Sequence, residues 1–299
     1  MKRYNNKYTP SNQHPSYFIK HKYLESIYSY MLLEDFSMNF SIEFTHDRDS
    51  EKFYKVEPAD DKLKEYLTFE DYSFFRYDMD KILQNIMYSL LIDGRTYLEI
   101  VLWAAAAGHI AGISLEPFSA IPVLKLRDKY TFCAQTHDQK CRCFSMLKRN
   151  VISFDLKDLG FPRNYFRRLF RRMKPFETSL YSMSKNRQFQ NVDFAAPIKK
   201  RDFHFLKLTK RIGWLGRNYS NPNLSEAYLL HRTIRYKTLK KRFLDYFLAQ
   251  INQGLEAFQD DLEFHSKIVI PEFDTEHATD WAKMQRGEMG YSAISNLIH

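Results

Sequence analysis

The chain is 299 residues long, 44% hydrophobic and 16% aromatic, with 25 Phe and 20 Tyr. That supplies core material for one large domain or two modest ones, while only nine Gly argue against Gly-rich nucleotide loops. The net charge is +9 and uneven: residues 146–211 hold 17 Lys and Arg against 5 Asp and Glu, and residues 255–299 hold 3 against 9. A basic middle with an acidic end suits nucleic-acid binding, and equally suits contact between neighbouring subunits.

Three cysteines, Cys133, Cys141 and Cys143, are an odd and clustered set that does not read as a secreted disulfide framework. The polar start, MKRYNNKYTPSNQHPSYF, lacks the apolar segment of a signal peptide. The longest apolar run, residues 100–107, falls far short of the roughly 20 residues that cross a bilayer. The expectation is a soluble chain, intracellular at synthesis, with no membrane partner.

Taken in order, residues 1–20 read as a loose polar tail. Residues 23–36 read as a helix, with Leu24, Ile27, Tyr28, Met31 and Leu32 at helical spacing. Residues 40–44 alternate like a strand, and residues 60–66 read as a short helix. A stronger helix over 77–91 carries Ile82, Ile86, Met87 and Leu90 on one side and stops at Asp93-Gly94. A hairpin follows, with strands over 95–102 and 109–115. In the first strand Tyr97, Glu99 and Val101 take one face and Leu98, Ile100 and Leu102 the other. Glu99 has no partner acid nearby in sequence, so it reads as a structural residue on the wetter face.

Residues 130–134 and 143–147 read as a second hairpin turning at 137–140. In residues 161–176, Tyr165, Phe166, Leu169, Phe170 and Met173 form an apolar helical face against Arg167, Arg168, Arg171, Arg172 and Lys174. KKRDFHFLKL, residues 199–208, reads as a strand. Asn223, with Glu226 three residues on, fits a capping pair. A long helix then runs to about residue 258, with Gly254 a weak point and Arg232, Arg235, Lys237, Lys240, Lys241 and Arg242 facing outward. A strand over 267–270 and a helix from Thr275 close the chain. The expected organisation is a tail over 1–20, an α+β body of mixed sheet and helix over 21–215 with an Arg-rich insertion at 161–176, and a long helix with a C-terminal strand and helix over 216–299.

Little of this looks catalytic. The phosphate-binding loop, GxGxxG, HExxH and GxSxG patterns are missing from the sequence. His204 has no nearby Ser or Cys, and the pairs Asp60-Asp61 and Asp260-Asp261 stand alone. No enzyme activity and no cofactor are expected. Cys133, His137, Cys141 and Cys143 supply four candidate zinc ligands within 11 residues, since thiolate and imidazole suit tetrahedral zinc. Their spacing matches no common finger, and the competing reading is a strand pair using Cys as a small hydrophobe. The Arg face at 167–172 suits bidentate phosphate or carboxylate contact. The same face could be simply solvated, or could lie against an anionic membrane surface.

The order of elements resembles the bacteriophage portal protein family. DGRTYLEIV (93–101), the return GHIAGISLEP (108–117) with Ile121-Pro122-Val123, the strand read in KRDFHFLKL, the helix starting after Asn221-Pro222, and KIVIPEF (267–273) carry the likeness. It covers residues 23–299 by order and loose pattern. Portal proteins usually extend further, and the Arg-rich insertion has no counterpart in the pattern. The resemblance implies a portal wing-like α+β body and a homo-oligomeric ring, commonly of twelve copies, at a capsid vertex. It implies passage of double-stranded DNA, terminase and capsid partners, and a place in the virion after assembly in the host cytoplasm. Candidate DNA or subunit contacts are Arg167, Arg168, Arg171, Arg172, Arg232, Arg235, Lys240 and Lys241. The alternative is a basic nucleic-acid-binding accessory protein of replication or packaging that forms no ring.

Overall fold

In the computed structural model, residues 2–3, 26–37, 55–58, 61–67, 74–104, 110–118, 120–135, 141–185, 195–216, 224–269 and 283 are described. They form an α+β fold of seven helices and small antiparallel sheets among the described residues. The chain divides into two units. The first comprises residues 1–20, 37–164 and 244–273, and the second residues 21–36, 165–243 and 274–299.

The first unit is built on β3 (Arg95–Ala104). This strand pairs along one edge with β4 (Ile110–Phe118). Its other edge takes β8 (Val151–Asp155) along residues 95–99 and β1 (Lys2–Arg3) at Trp103 and Ala104. Lys2 and Arg3 are thus paired, where the sequence suggests a loose tail. Both faces of β3 are covered: Leu98, Glu99, Ile100 and Val101 are all fully buried. Glu99 therefore does not lie on a wetter face. A central strand enclosed on both sides leaves no such face.

Helix α3 (Phe74–Asp93) packs beside this sheet with Leu83, Ile86, Met87, Leu90 and Leu91 buried. Gly94 ends it with φ +75°, its N–H returning to the Leu90 carbonyl at 2.8 Å. A side chain there is excluded twice over. The left-handed backbone disfavours it, and a Cβ would sit 2.1 Å from the Arg163 carbonyl oxygen.

A second sheet, β5 (Ile121–Lys125), β6 (Lys129–Gln135) and β7 (Cys141–Leu147), runs in that order. It joins β3 and β4 through an aromatic cluster in which Phe132 meets Tyr97 at 4.8 Å and Phe118 at 5.2 Å between ring centroids. Edge-on contacts of this kind add about 1 kcal/mol each beyond simple burial. The remaining strands, β2 (Lys55–Glu57) and β9 (Lys267–Val269), pair with each other, and α2 (Asp61–Leu67) lies in the same unit. Helix α7 (Gln259–Leu262) precedes β9.

The second unit is helical in its described residues. It holds most of α1 (Ile27–Ser37), α4 (Tyr165–Lys185), α5 (Ala195–Thr209) and the first part of the long α6 (Glu226–Glu256). Phe36 is its hub, with ring centroids 4.9 Å from Tyr236, 5.8 Å from Phe166 and 5.9 Å from Phe243.

Helix α5 replaces the strand expected over 199–208. Phe205 and Thr209 are buried four residues apart while Phe203 and His204 are exposed. That is a helical stripe, and the Phe-His-Phe alternation that suggested a strand is incidental to it. The strand that supported the portal likeness at this point is therefore a helix. The start of α6 also differs in detail: the Ser225 hydroxyl accepts the Tyr228 N–H at 3.3 Å, the N-cap pattern, whereas Asn223 lies outside the described residues. The strand expected over 40–44 and the helix expected from Thr275 lie outside them too.

Gly254 is not a weak point of α6. The helix continues through it to Glu256, and a Cβ there would meet Ile152 Cδ1 at 2.4 Å. Its lack of a side chain lets the helix lie close against β8 and β3.

Candidate nucleic-acid interface

Among the described residues, the helical unit carries a basic helix face. Helix α4 buries Phe166, Leu169, Phe170 and Met173. That fixes its rotation and leaves Arg168, Arg171, Arg172 and Lys174 exposed, with Arg167 half-buried. Residues 168, 171 and 172 stand at i, i+3 and i+4, so three guanidinium groups share one face. Each offers a planar fork of donors that fits a phosphate better than an ammonium does.

Tyr165, the first residue of α4, anchors a second basic group. The Arg211 guanidinium lies over its ring at 5.0 Å. The Arg235 Nε donates to the Arg211 carbonyl at 3.1 Å, and Lys210 is exposed beside Arg211 in the chain. The titration shifts report the same crowding of positive charge. His231 is held below its usual value first by burial, then by Arg235, Arg232 and Lys210. The Tyr165 phenol is raised by burial, although Arg211 and Arg235 oppose the rise. Cations gathered around one imidazole, beside exposed guanidinium groups, suit a surface that attracts polyanions.

Two residues expected on this surface are inside the protein. Arg232 is 1% exposed. It donates to the carbonyls of Gly213 (3.2 Å), Leu206 (3.0 Å) and Trp214 (2.7 Å), and to the Thr209 hydroxyl (2.7 Å). Lys240 is fully buried and donates to the Asp35 carbonyl at 2.8 Å. Neither can reach a phosphate. The signal for this was present in the sequence: 232, 236, 240, 243 and 247 step by three and four along the apolar stripe of α6. Arg235 is exposed and Lys241 half-buried, so of the expected contacts Arg167, Arg168, Arg171, Arg172, Arg235 and Lys241 remain at least partly open to solvent. Lys210 and Arg211, which nothing in the sequence singled out, are exposed as well.

A second polar cluster, in the sheet unit, is structural. The Asp155 carboxylate accepts from Arg95 Nη2 at 2.7 Å and from Arg163 Nε at 2.9 Å, and it also caps the Lys157 N–H at 3.1 Å. The Asp155 N–H donates to the Tyr246 oxygen at 3.0 Å, and the Tyr246 hydroxyl donates to Asp158 at 2.8 Å. Burial and the neighbouring carboxylates push the Tyr246 phenol well above its ordinary value. The cluster ties the start of β3, the end of β8 and the residues before α4 to α6.

The candidate zinc ligands are only partly brought together. Cys133 and Cys143 are direct cross-strand partners, and Cys141 stands opposite Gln135 two residues along. Neither Cys133 nor Cys143 is in a disulfide, and His137 lies outside the described residues. Among the described residues no group of three metal-ligating side chains gathers. No described helix is long and apolar enough to cross a membrane. Neither the comparison with family models nor the comparison with curated proteins finds a match to this chain.

Proposed function

We propose that this chain is a portal-like structural protein. Copies form a homo-oligomeric ring at a capsid vertex, through which double-stranded DNA is packaged and released, with terminase and capsid proteins as partners. It acts as a conduit in the virion, assembled in the host cytoplasm, and not as an enzyme. The observation that carries the reading is the order of elements in the sheet unit. A helix ends at the left-handed Gly94, the β3–β4 hairpin follows, and the 31-residue α6 later lies against the same strands. These elements carry part of the resemblance to portal proteins, that of residues 93–117 and of the long helix. The helical α5 is a departure from that likeness.

A ring needs one patch to meet a different patch on its neighbour, and the opposed charges of residues 146–211 and 255–299 fit that need. Exposed Arg on α4 suits either the duplex or an acidic neighbour. Negative-stain imaging of the purified full chain tests the proposal. Closed rings with a central opening support it, and particles the size of one or two chains overturn it.

The α4 face and the Lys210, Arg211 and Arg235 group favour one second reading, a nucleic-acid-binding accessory protein without a ring. That reading predicts a monomer or small oligomer that binds duplex DNA with a steep salt dependence.

A further inference from the structure

The sheet β5–β6–β7 carries an exposed apolar face that the proposed function leaves unused. Ile121 pairs with Cys133 and Leu124 with Thr131. Cys133 and Thr131 are two residues apart on β6 and so share a face. The register shift between Pro122 and Leu124 adds one residue to β5, which turns Ile121 and Leu124 to that same side. The opposite side of β6 carries Phe132 into the aromatic core, so the shared face points outward. Ile121 is 53% exposed, Val123 60%, Leu124 51% and Leu126 51%. Together these four aliphatic residues within six positions expose on the order of 400 Å², comparable with the largest apolar patch of a typical monomer, which is often functional.

Two features limit how a partner can bind. β5 is an edge strand, but Pro122 removes one donor and the bulge interrupts the ladder, both of which disfavour an added strand. Contact must therefore come from side chains. The rim is basic: Lys125, Arg127 and Lys129 are all exposed, with Asp128 the one acid among them. The complementary occupant is acidic and carries large apolar anchors. The chain contains such a segment. Residues 272–281, EFDTEHATDW, hold Glu272, Asp274, Glu276 and Asp280 with no Lys or Arg, and place Phe273 and Trp281 at the two ends.

We infer that the face of Ile121, Val123, Leu124 and Leu126 receives residues 272–281 of a second copy of this chain. Phe273 and Trp281 sit on the aliphatic patch, and the four carboxylates face Lys125, Arg127 and Lys129. The contact is heterologous, one surface meeting a different one, and so propagates around a ring instead of closing a two-fold pair. The choice of a neighbour's segment over the chain's own rests on the ring reading above.

The test uses the full chain with a photo-crosslinking amino acid at position 124. It is assembled from a one-to-one mixture of isotopically light and heavy protein, and the crosslinked peptides are read by mass spectrometry. Crosslinks to residues 272–281, half of them pairing light with heavy chains, are expected. Leu124→Asp without the crosslinker, and separately Lys125→Glu with Arg127→Glu, should each weaken self-association by about tenfold or more, which is about 1.4 kcal/mol. Both sites are exposed, so circular dichroism should be unchanged. Crosslinks confined within one chain, or directed elsewhere, overturn the inference. Rings whose crosslinks fall elsewhere refute this contact and leave the ring reading standing. The expected intermolecular crosslink in a simple dimer keeps the contact and refutes the ring.

Discussion

Arg232 offers the sharpest separation between a structural cation and a phosphate-binding one. Its guanidinium is 1% exposed and supplies donors to three carbonyls and one hydroxyl. Burial lowers its affinity for the proton, yet an arginine stays charged at any ordinary pH. Arg232→Ala would leave the Leu206, Gly213 and Trp214 carbonyls buried without this donor, each at about 1 kcal/mol or more. It would also open a cavity the size of a long side chain. Together with that cavity, these losses come to about 3–5 kcal/mol. That is a large part of the roughly 5–15 kcal/mol that stabilises a typical domain. Arg232→Lys keeps the charge but cannot span all four acceptors, and about half that loss is expected.

Urea denaturation followed by tryptophan fluorescence measures the effect near its source, because Trp214 is one of the acceptors and its own indole donates to Asp35 at 2.8 Å. For Arg232→Lys, which should remain folded, the salt dependence of DNA binding should equal that of the parent. An Arg232→Ala variant within about 0.5 kcal/mol of the parent, or an Arg232→Lys variant with a shallower salt slope, would refute the assignment of Arg232 as a clamp.

The exposed guanidinium groups predict the opposite pattern. Arg171→Glu with Arg172→Glu should leave stability within about 0.5 kcal/mol but weaken duplex binding and reduce the slope of log K against log salt by about 2, read by fluorescence anisotropy. Gly94→Ala should cost about 3 kcal/mol or more from the left-handed backbone and the clash with Arg163, seen as a lower urea midpoint. His231 binds its proton less readily in the folded protein than the ordinary value of 6.5. The unfolded chain therefore takes up that proton first, and stability falls as pH drops below about 6.5. His231→Gln should flatten that part of the pH profile of thermal unfolding.

Much of the fold was legible because its signals were local. The stripe of Ile82, Ile86, Met87 and Leu90 ending at Gly94 marks α3, and the alternation after it marks β3. The amphipathic pattern around Arg167 and Arg171 marks α4. Where the reading failed, long-range packing decided the outcome. Residues 199–208 alternate well enough for a strand, and only the burial of Phe205 against Trp214 and Phe176 reveals the helix. Arg232 and Lys240 look like surface cations by chemistry and like core residues by position, and position prevailed because backbone carbonyls were available to receive their donors. Asp155 gave no signal at all. Its importance comes from Arg95, Arg163 and Tyr246, which are brought to it from three separate parts of the chain. The shared outward face of Ile121 and Leu124 depends on a bulge that the sequence does not announce.

The central claim is assembly into a ring, and the mass of the particle in solution tests it most directly. Mass photometry of the full-length protein at low micromolar concentration and physiological salt should give one dominant species at a fixed multiple of 35.9 kDa, twelvefold if the resemblance to portal proteins extends to subunit number. A single species at the mass of one chain, unchanged by protein concentration or by added DNA, would contradict the account.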